Sequence, residues 1–585
     1  MPIIDEIIDK KALEHVLDAF NTASMARLEA EKKWDELYKA WRGITEKRNY
    51  QGKANVYDPE IANAVNAISV RIMGLLFAPY PFFDVIPQEE RDKDNAAIIK
   101  ELLAFQFYKK INIYEKVARL VPQFVVYGTG ISKIVWRKTE KILEIRPGVK
   151  QPIVFYDDPD FIPRDIFSVY IDPRAIDIAS ADYIVDKYTV NEDHLKMMAK
   201  AGIYSNVENV QDIKGSEIDN PYVINRQVAT GINVQVAEKS KRKKVELLEY
   251  WGKFDINNDG EDEDVIITVA NRNTVVRIME NPFLTKEKPF VLAGYEYATD
   301  ELYGISPLER ALPLQYVMND LHNQILDNKS LLLKKPMLVS DGAQVTIKQL
   351  EAYRKGEIIR VQGDISAIHE MPIEDHTQTG IEGLNLVRQT IQRSTGSSDP
   401  MLGVSTPGEQ TATEIKTLVA SGNSRIGNAA RFFASGILAE SLRKAYQYNQ
   451  QFMTREKVIR IVGEEGTKYV AVSPDQIVGN YDFNALVFTE LADKETQVEQ
   501  MIKFLEISMK TAPDKVDVNI LLKRIWEGLG FKDSEKIIKQ EPTPEQMLSK
   551  IPAVAGAGAN VPPPTTPSVP PMSVIPPIAG LGGGL

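Results

Sequence analysis

The stretch Leu302-Tyr303-Gly304-Ile305-Ser306-Pro307-Leu308-Glu309 decides how the rest of the chain is read. Serine is a strong helix N-cap, and proline suits the first helical position because its missing N–H has no partner there in any case. A glutamate three residues after the cap returns the hydrogen bond. Ser306, Pro307 and Glu309 therefore predict a helix start. Downstream, Leu308, Ala311, Leu312, Val317, Met318, Leu321, Ile325 and Leu332 carry an apolar stripe until Pro336. That is about thirty residues, or about 40 Å at 1.5 Å per residue. A short insert follows, with strand-like Met337–Val339 and Glu357–Val361 flanking a helix near Val345–Arg354. The helical pattern resumes at about Glu374 and lasts to Gly396. After a loop containing Gly403, Pro407 and Gly408, Thr411 and Glu414 stand at capping-box spacing. They precede Ile415, Leu418, Val419, Ile426, Phe433, Ile437, Leu442 and Tyr446, a third long stripe. Two long helices thus bracket a small insert, and a loop separates them from a third.

Upstream, helices are expected over Lys11 to Arg42, Ile61 to Phe77 and Asp94 to Val126. In the second, Ile61, Val65, Ile68, Ile72, Leu75 and Leu76 recur at three- and four-residue steps. Tyr127-Gly-Thr-Gly130 breaks the third, and Ile131, Ile134, Val135 and Trp136 open a region, about 131 to 295, that reads as β. Turn signals stand at Asp158-Pro159, Asp172-Pro173 and Asn258-Asp259-Gly260. Strand-like sequence returns from Val458 to Phe488, followed by helical Glu495–Lys510 and Val516–Leu529. In residues 541–585, 11 of 45 are proline and no charge appears after Lys550. Such a segment buries too little apolar surface to offset its ordering entropy, so it is expected to be disordered or extended. The fold class expected is α+β, built from several packed regions because the chain has 585 residues.

A formal charge of −11, from 70 basic and 81 acidic side chains, opposes tight non-specific DNA binding, which draws its affinity from phosphate neutralisation. The absence of cysteine removes disulfides, thiol nucleophiles, zinc ribbons and iron–sulfur ligation. Neither a secretory signal nor an apolar run of about 18 residues is read in the sequence, so neither export nor a membrane span is expected.

The motifs that carry chemistry are weak. Asp255, Asn257, Asp259 and Gly260 match the first half of a calcium loop, with Glu261 and Glu263 nearby. Ile266 stands where the bidentate glutamate belongs and the flanks read as strands, so an Asx-rich hairpin turn is expected. The basic run Lys239, Lys241, Arg242, Lys243, Lys244 reads as a solvated hairpin end balanced by Glu261 to Asp264. Gly403-Val-Ser405-Thr-Pro407 lacks the second glycine of a nucleophile elbow. His15, His194, His322, His369 and His376 show no metal-binding spacing, and the phosphate-binding Gly-x-x-x-x-Gly-Lys-Ser/Thr string is absent, which argues against an ATPase of the phosphate-loop kind.

In order and spacing, Tyr127-Gly-Thr-Gly-Ile-Ser-Lys-Ile-Val-Trp136, then Val169-Tyr-Ile-Asp172-Pro173 and Ala181-Asp-Tyr-Ile-Val185, resemble the wing region of tailed-bacteriophage portal proteins, the head–tail connectors. Leu302 to Glu309 resembles the start of their first stem helix. The resemblance covers roughly residues 20 to 535. It implies a wing over 1–300, a stem helix over 301–335, a small α/β clip over 336–372 and a second stem helix over 373–396. A tunnel loop would follow over 397–410, then a long wing helix with returning strands over 411–490, a helical crown over 491–540 and a disordered tail over 541–585. By the same resemblance Ser398, Asp399, Met401, Leu402, Val404, Ser405 and Thr406 would lie in the DNA-facing tunnel loop. Its apolar Met401, Leu402 and Val404 either touch DNA or pack on neighbouring subunits. Asp341, Gln344, Lys348 and Lys355 of the clip would face terminase or adaptor.

The implied function is a non-enzymatic conduit for double-stranded DNA, packaged and later ejected through a homo-oligomeric ring, usually of twelve subunits, at a capsid vertex. The implied partners are the terminase large subunit, a head–tail adaptor, and the major capsid and scaffolding proteins, with no cofactor, metal or membrane. The protein would be assembled in the bacterial cytoplasm and carried in the virion. A ring of twelve such chains would carry twelve times −11 formal charges, a field that repels phosphate. The competing readings are a nuclease- or terminase-like enzyme and a different head–tail ring protein.

Overall fold

The computed structural model describes residues 6–44, 53–146, 149–210, 221–231, 244–339, 368–397, 425–463 and 466–487, with the isolated positions 348 and 503. The chain divides into two compact units, 1–491 and 492–585; the second contributes only Lys503 to the described residues.

Ten helices are used below: α1 (Glu6–Ala26), α2 (Leu28–Arg42), α3 (Glu60–Phe77), α4 (Lys93–Phe105), α5 (Ile113–Tyr127), α6 (Glu192–Lys200), α7 (Pro221–Ala229), α8 (Leu312–Leu333), α9 (Thr377–Thr395) and α10 (Glu440–Phe452). α10 is reached through a helical segment at 425–433 and a π-helical turn at Ala434–Ala439. The expected helix over Lys11 to Arg42 is two helices, divided at Arg27. The one expected over Asp94 to Val126 is likewise α4 and α5, joined by a π-helical turn at Gln106–Ile111 and a left-handed Asn112.

The strands are β1 (Phe83–Pro87), β2 (Thr129–Arg146), β3 (Val149–Arg164), β4 (Val169–Ile171), β5 (Ile184–Asn191), β6 (Lys244–Phe254), β7 (Glu263–Ala270), β8 (Thr274–Glu280), β9 (Phe290–Gly294), β10 (Met337–Val339), β11 (Ile368–Glu370), β12 (Lys457–Gly463), β13 (Gly466–Val472) and β14 (Tyr481–Ala485). With the helices they make an α+β protein. Strands β4-β5-β6-β7-β8 form an antiparallel sheet, and β3-β2-β9 a second.

Alternation along β7 explains how the larger sheet is covered on both faces. Val265, Ile267 and Val269 face α1, where they meet Ala12, Val16, Ala19 and Phe20. Ile266 points the other way, into the main core with Trp251 and Phe290. That core continues through α2, α3, α4, α5 and α10. α3 supplies six side chains to it at the expected positions 61, 65, 68, 72, 75 and 76, each worth about 1.5–3 kcal/mol of transfer from water. Contrary to the sequence reading, α3 is long and apolar enough to cross a membrane by length and composition; here its stripe is packed inside the protein.

Two strands far apart in sequence close the unit. β1 pairs antiparallel with β14, Phe83 opposite Ala485 and Pro87 opposite Tyr481. Beside them Gln106 and Asn449 exchange buried amide hydrogen bonds of 2.8 and 2.9 Å.

The turn signals divide. Asp172-Pro173 follows β4 and Asn258-Asp259-Gly260 joins β6 to β7, as expected. In that hairpin the carboxylates accept from backbone: Gly260 N–H to Asp255 Oδ2 at 2.9 Å and Glu261 N–H to Asp259 Oδ1 at 2.8 Å. Asp158-Pro159, however, lies inside β3, where Pro159 stands opposite Trp136. β3 is an edge strand, and there a proline's missing N–H interrupts no ladder on the open side.

Candidate functional site

The tunnel-loop residues Ser398, Asp399, Met401, Leu402, Val404, Ser405 and Thr406 lie outside the described residues, as do Asp341, Gln344 and Lys355 of the expected clip and the Thr411–Glu414 capping box. Lys348 is described as an isolated, exposed position. The expected strand Glu357–Val361 and most of the basic run also fall outside, with Lys244 beginning β6. The structure does describe the frame these segments hang from.

That frame is the antiparallel pair α8 and α9. Asn328 Nδ2 donates to Glu374 O at 3.2 Å, Ile325 packs against Gly380, and Leu321 against Gly383, so one helix descends as the other rises. Past α8, β10 pairs with β11, Met337 opposite Glu370, and Met371 N–H donates to Pro336 O at 2.8 Å. The chain between them therefore leaves and returns at one place. α8 is shorter than expected, 22 residues from Leu312 rather than a helix from Ser306. The cap bonds themselves exist: Ser306 N–H donates to Glu309 Oε1 and Leu308 N–H to Ser306 Oγ, both at 3.1 Å. Ser306 Oγ also donates to Val125 O at 2.8 Å, and residues 307–311 form a turn instead of a helical turn.

The turn is held by a close crossing of backbones. Gly128 has φ +73°, in the left-handed region, and its carbonyl accepts from Tyr295 N–H at 2.8 Å. Gly304 N–H donates to Thr129 Oγ1 at 2.9 Å. A Cβ at Gly128 would lie 2.5 Å from Ser306 N and 2.7 Å from Ile305 C; one at Gly304 would lie 2.5 Å from Gly294 Cα. Real carbon atoms do not approach so closely, so glycine is required at both. Tyr127-Gly-Thr-Gly and Leu302 to Glu309, some 175 residues apart, thus form one junction that fixes how α8 departs from the two sheets.

A second set of contacts was missed in the sequence. Gln315, Asn319, Asn323 and Asp327 stand four residues apart on α8, and each holds the extended backbone leading into α3. Ala54 N–H donates to Asp327 Oδ1 at 2.7 Å, Val56 N–H to Asn323 Oδ1 at 2.7 Å, and Asp58 N–H to Asn319 Oδ1 at 3.0 Å. Asn323 Nδ2 returns a bond to Val56 O at 3.2 Å, and Gln315 joins Asp58 O at 2.7 Å and Ile61 N–H at 3.1 Å. The match is geometric: four helical residues rise about 6 Å, close to two residues of extended chain. α3 has no side-chain N-cap of its own, and Gln315 supplies the acceptor from another helix. α9 joins in: Arg388 lies 3.4 Å from Asp58 Oδ2 and 3.5 Å from Glu60 Oε2, and Gln392 donates to Glu60 Oε1 at 3.0 Å. The spacing was visible in the sequence; its use depends on the strap, which no local pattern reveals.

Replacing Asn323 by alanine leaves the Val56 N–H and C=O without partners and is expected to destabilise the protein by about 1–3 kcal/mol. Gln324→Ala, at the exposed neighbour, should stay within about 0.5 kcal/mol. Hydrogen exchange at Val56 and Asp58 tests this: protection should fall in the first variant and hold in the second.

A third cluster joins the two sheets. Lys133 of β2 is buried between Glu249 Oε2 at 2.9 Å and Asp186 Oδ2 at 3.2 Å, and Asp186 is also paired with Arg164. Burial alone pushes the Glu249 carboxyl up, but Lys133 first, and then Arg277 and the Tyr188 hydroxyl, together outweigh it and hold the group below the ordinary glutamate range. Tyr188, partly buried beside Glu249 and donating to it at 3.2 Å, is held well above the usual phenol range by desolvation and then by that charge.

The histidines are dispersed. His15 Nε2 meets Tyr250 Oη at 2.9 Å, His322 lies 3.4 Å from Asp58, His194 lines a cavity between the sheets, and His369 and His376 are exposed. α8 and α9 also leave large apolar side chains in solvent, Leu333 at 86% and Leu386 at 65% exposure, with Tyr316, Val317 and Leu331 about half exposed.

The family model described as Phage SU10 portal protein matches residues 13–148 and 163–559. Both sides of the glycine junction, the strap, and both helices of the pair fall within those two stretches, and the chain belongs to the phage portal protein family.

Proposed function

We propose that this chain is one subunit of a homo-oligomeric ring, of about twelve copies, at the capsid vertex of a tailed phage, through whose channel double-stranded DNA is packaged and later ejected. α8 and α9 are its stem helices. Residues 336–372 are the clip that docks the terminase large subunit and later the head–tail adaptor. Residues 397–410 are the tunnel loop and 491–540 the crown, while the wing contacts the major capsid and scaffolding proteins during assembly in the host cytoplasm. The role is geometric and electrostatic, and the motor is another protein.

The observation that carries this reading is the apolar surface left open on the helix pair. A lone subunit exposes Leu333, Leu386, Tyr316, Val317 and Leu331 to water around two neighbouring helices, apolar surface that further copies on either side would cover. The family membership and the net charge of −11 support it further, since a wall of like charge lets phosphate slide without sticking.

Electron microscopy of the purified full-length protein is the test. Rings with an open central channel are expected, and Leu386→Asp should yield folded subunits that fail to close them, because a carboxylate would be buried at the contact. A wild-type protein that stays monomeric at all concentrations would remove the reading.

A further inference from the structure

The face of the five-stranded sheet turned toward β2 and β3 carries one row of polar side chains across four strands. Asp186 stands opposite Glu249, Glu249 opposite Thr268, and Thr268 opposite Arg277, so all four project from the same side. Above the row, Lys133 and Arg164 enter from the second sheet, and between the sheets lies a cavity of about 780 Å³. Three cations therefore meet two carboxylates. Lys133 takes both, at 2.9 and 3.2 Å, and Arg164 shares Asp186. Arg277 has no carboxylate within hydrogen-bond reach: among the described residues its guanidinium donates only to the Met279 sulfur, at 3.1 Å from Nε and 2.7 Å from Nη2, and it acts on Glu249 only through space. A thioether is a weak acceptor and neutralises no charge.

Two further polar atoms in this region are orphaned. Thr268 is 0% exposed, sits directly between Glu249 and Arg277, and its Oγ1 has no hydrogen-bond partner among the described residues. The Nε of Arg164 is buried and equally unpartnered. Buried polar groups are nearly always satisfied, so the orphaned Arg164 Nε, in the same cavity wall as a guanidinium with no carboxylate in hydrogen-bond reach, marks a place where an acceptor belongs. The rest of the wall sets the shape of what brings it. Val135, Ile162, Met198, Ile203 and Ile278 make the lining largely apolar, and the volume is several times that of a bare inorganic anion but ordinary for a small organic ligand.

We propose that this cavity binds a small amphiphilic oxyanion, a carboxylate or phosphate head on an apolar body, with the head on the Arg277 guanidinium and the body against the isoleucines. Arginine suits the role because its planar fork matches both heads bidentately. The site is lined by the two sheets and their connections and by no residue of the paired helices, so it stands or falls independently of the ring.

Calorimetric titration of the full-length protein tests it, with octanoate, octyl phosphate, inorganic phosphate and 1-octanol as separate probes. Saturable binding of octanoate, octyl phosphate or both, at one molecule per chain, is expected, and the two arms distinguish a carboxylate from a phosphate site. Arg277→Gln should weaken that binding at least tenfold and Arg277→Lys by less. Arg310→Gln, at an exposed position paired with Glu296, should leave it unchanged. Arg277 is only partly buried and stands on an edge strand, so both of its variants should keep the wild-type circular dichroism. No saturable binding of either amphiphile, equal binding in Arg277→Gln, or 1-octanol binding as tightly as octanoate would each overturn the assignment. Inorganic phosphate binding as tightly as octyl phosphate would overturn the apolar body.

Discussion

Gly128→Ala is expected to cost the protein more than about 3 kcal/mol, and with it the fixed departure of α8. Two effects add at this position. The left-handed backbone, φ +73°, penalises any L side chain by about 1–2 kcal/mol, and the new methyl collides with Ser306 N and Ile305 C, which are backbone atoms with no rotamer to change. Gly260→Ala separates the two effects. Its φ is +91° but nothing lies within 4 Å of the added carbon, so it should lose only the conformational part. Denaturant unfolding of both variants measures the difference, and equal losses would show that the crossing at Gly304 is slack. Hydrogen exchange adds a local readout: the Gly304 and Tyr295 amides should open in Gly128→Ala and stay protected in Gly260→Ala.

The second large effect is expected at Lys133. Methionine fills a similar volume but removes the ammonium that lies 2.9 Å from Glu249 and 3.2 Å from Asp186, all three side chains being about nine-tenths buried or more. Removing one partner of such a set leaves charge uncompensated in a poorly solvated place, at a cost of about 3–5 kcal/mol. Asp186 keeps its ion pair with Arg164, whereas Glu249 keeps hydrogen bonds from Tyr188 and from the Trp251 indole, at 3.0 Å, and the more distant charge of Arg277. The deficit should depend on pH with a definite sign. Without Lys133, burial raises the folded-state pKa of Glu249 above its unfolded value, so the loss relative to wild type is full at neutral pH and shrinks as pH falls toward the ordinary glutamate range. Glu249→Gln placed on Lys133→Met should recover part of the loss and flatten that dependence. A Lys133→Met protein as stable as wild type at pH 7 would mean that the cluster is more hydrated than its geometry indicates.

Much of the architecture was legible because apolar periodicity survives packing. The stripe at positions 61 to 76 gave α3, and the Asn258-Asp259-Gly260 turn gave the β6–β7 hairpin, since both depend on residues that are neighbours in sequence. Where tertiary contacts compete with local ones, the reading slipped. Ser306 makes its cap bonds but also reaches Val125 O, and the chain spends residues 307–311 on a turn that fits the glycine crossing before α8 begins. Asp158-Pro159 looked like a turn because proline usually ends strands, and only the position of β3 at a sheet edge makes it tolerable.

The functional parts were harder for the same reason. Two of the strings behind the resemblance, Tyr127-Gly-Thr-Gly and Leu302 to Glu309, carry weight in the sequence only through order and spacing, and that they touch is a fact about residues far apart in the chain. The ladder on α8 is written plainly as Gln315, Asn319, Asn323 and Asp327, yet polar residues at helical spacing ordinarily face water, and nothing local says that a strap covers them. Lys133 and Glu249 are each one of several charges in their strands, and only the packing of one sheet on the other makes them a buried pair.

The pairing of β1 with β14 has a consequence for how the protein is made. Phe83 cannot meet Ala485 until the ribosome has added some four hundred further residues, which takes roughly 20–80 s at bacterial rates of about 5–20 residues per second. Throughout that interval the Phe82 and Phe83 rings, fully buried in the finished subunit, lack part of their cover. Nascent chains on one messenger thus present the same unfinished edge to one another, and the last strand to emerge ends that exposure.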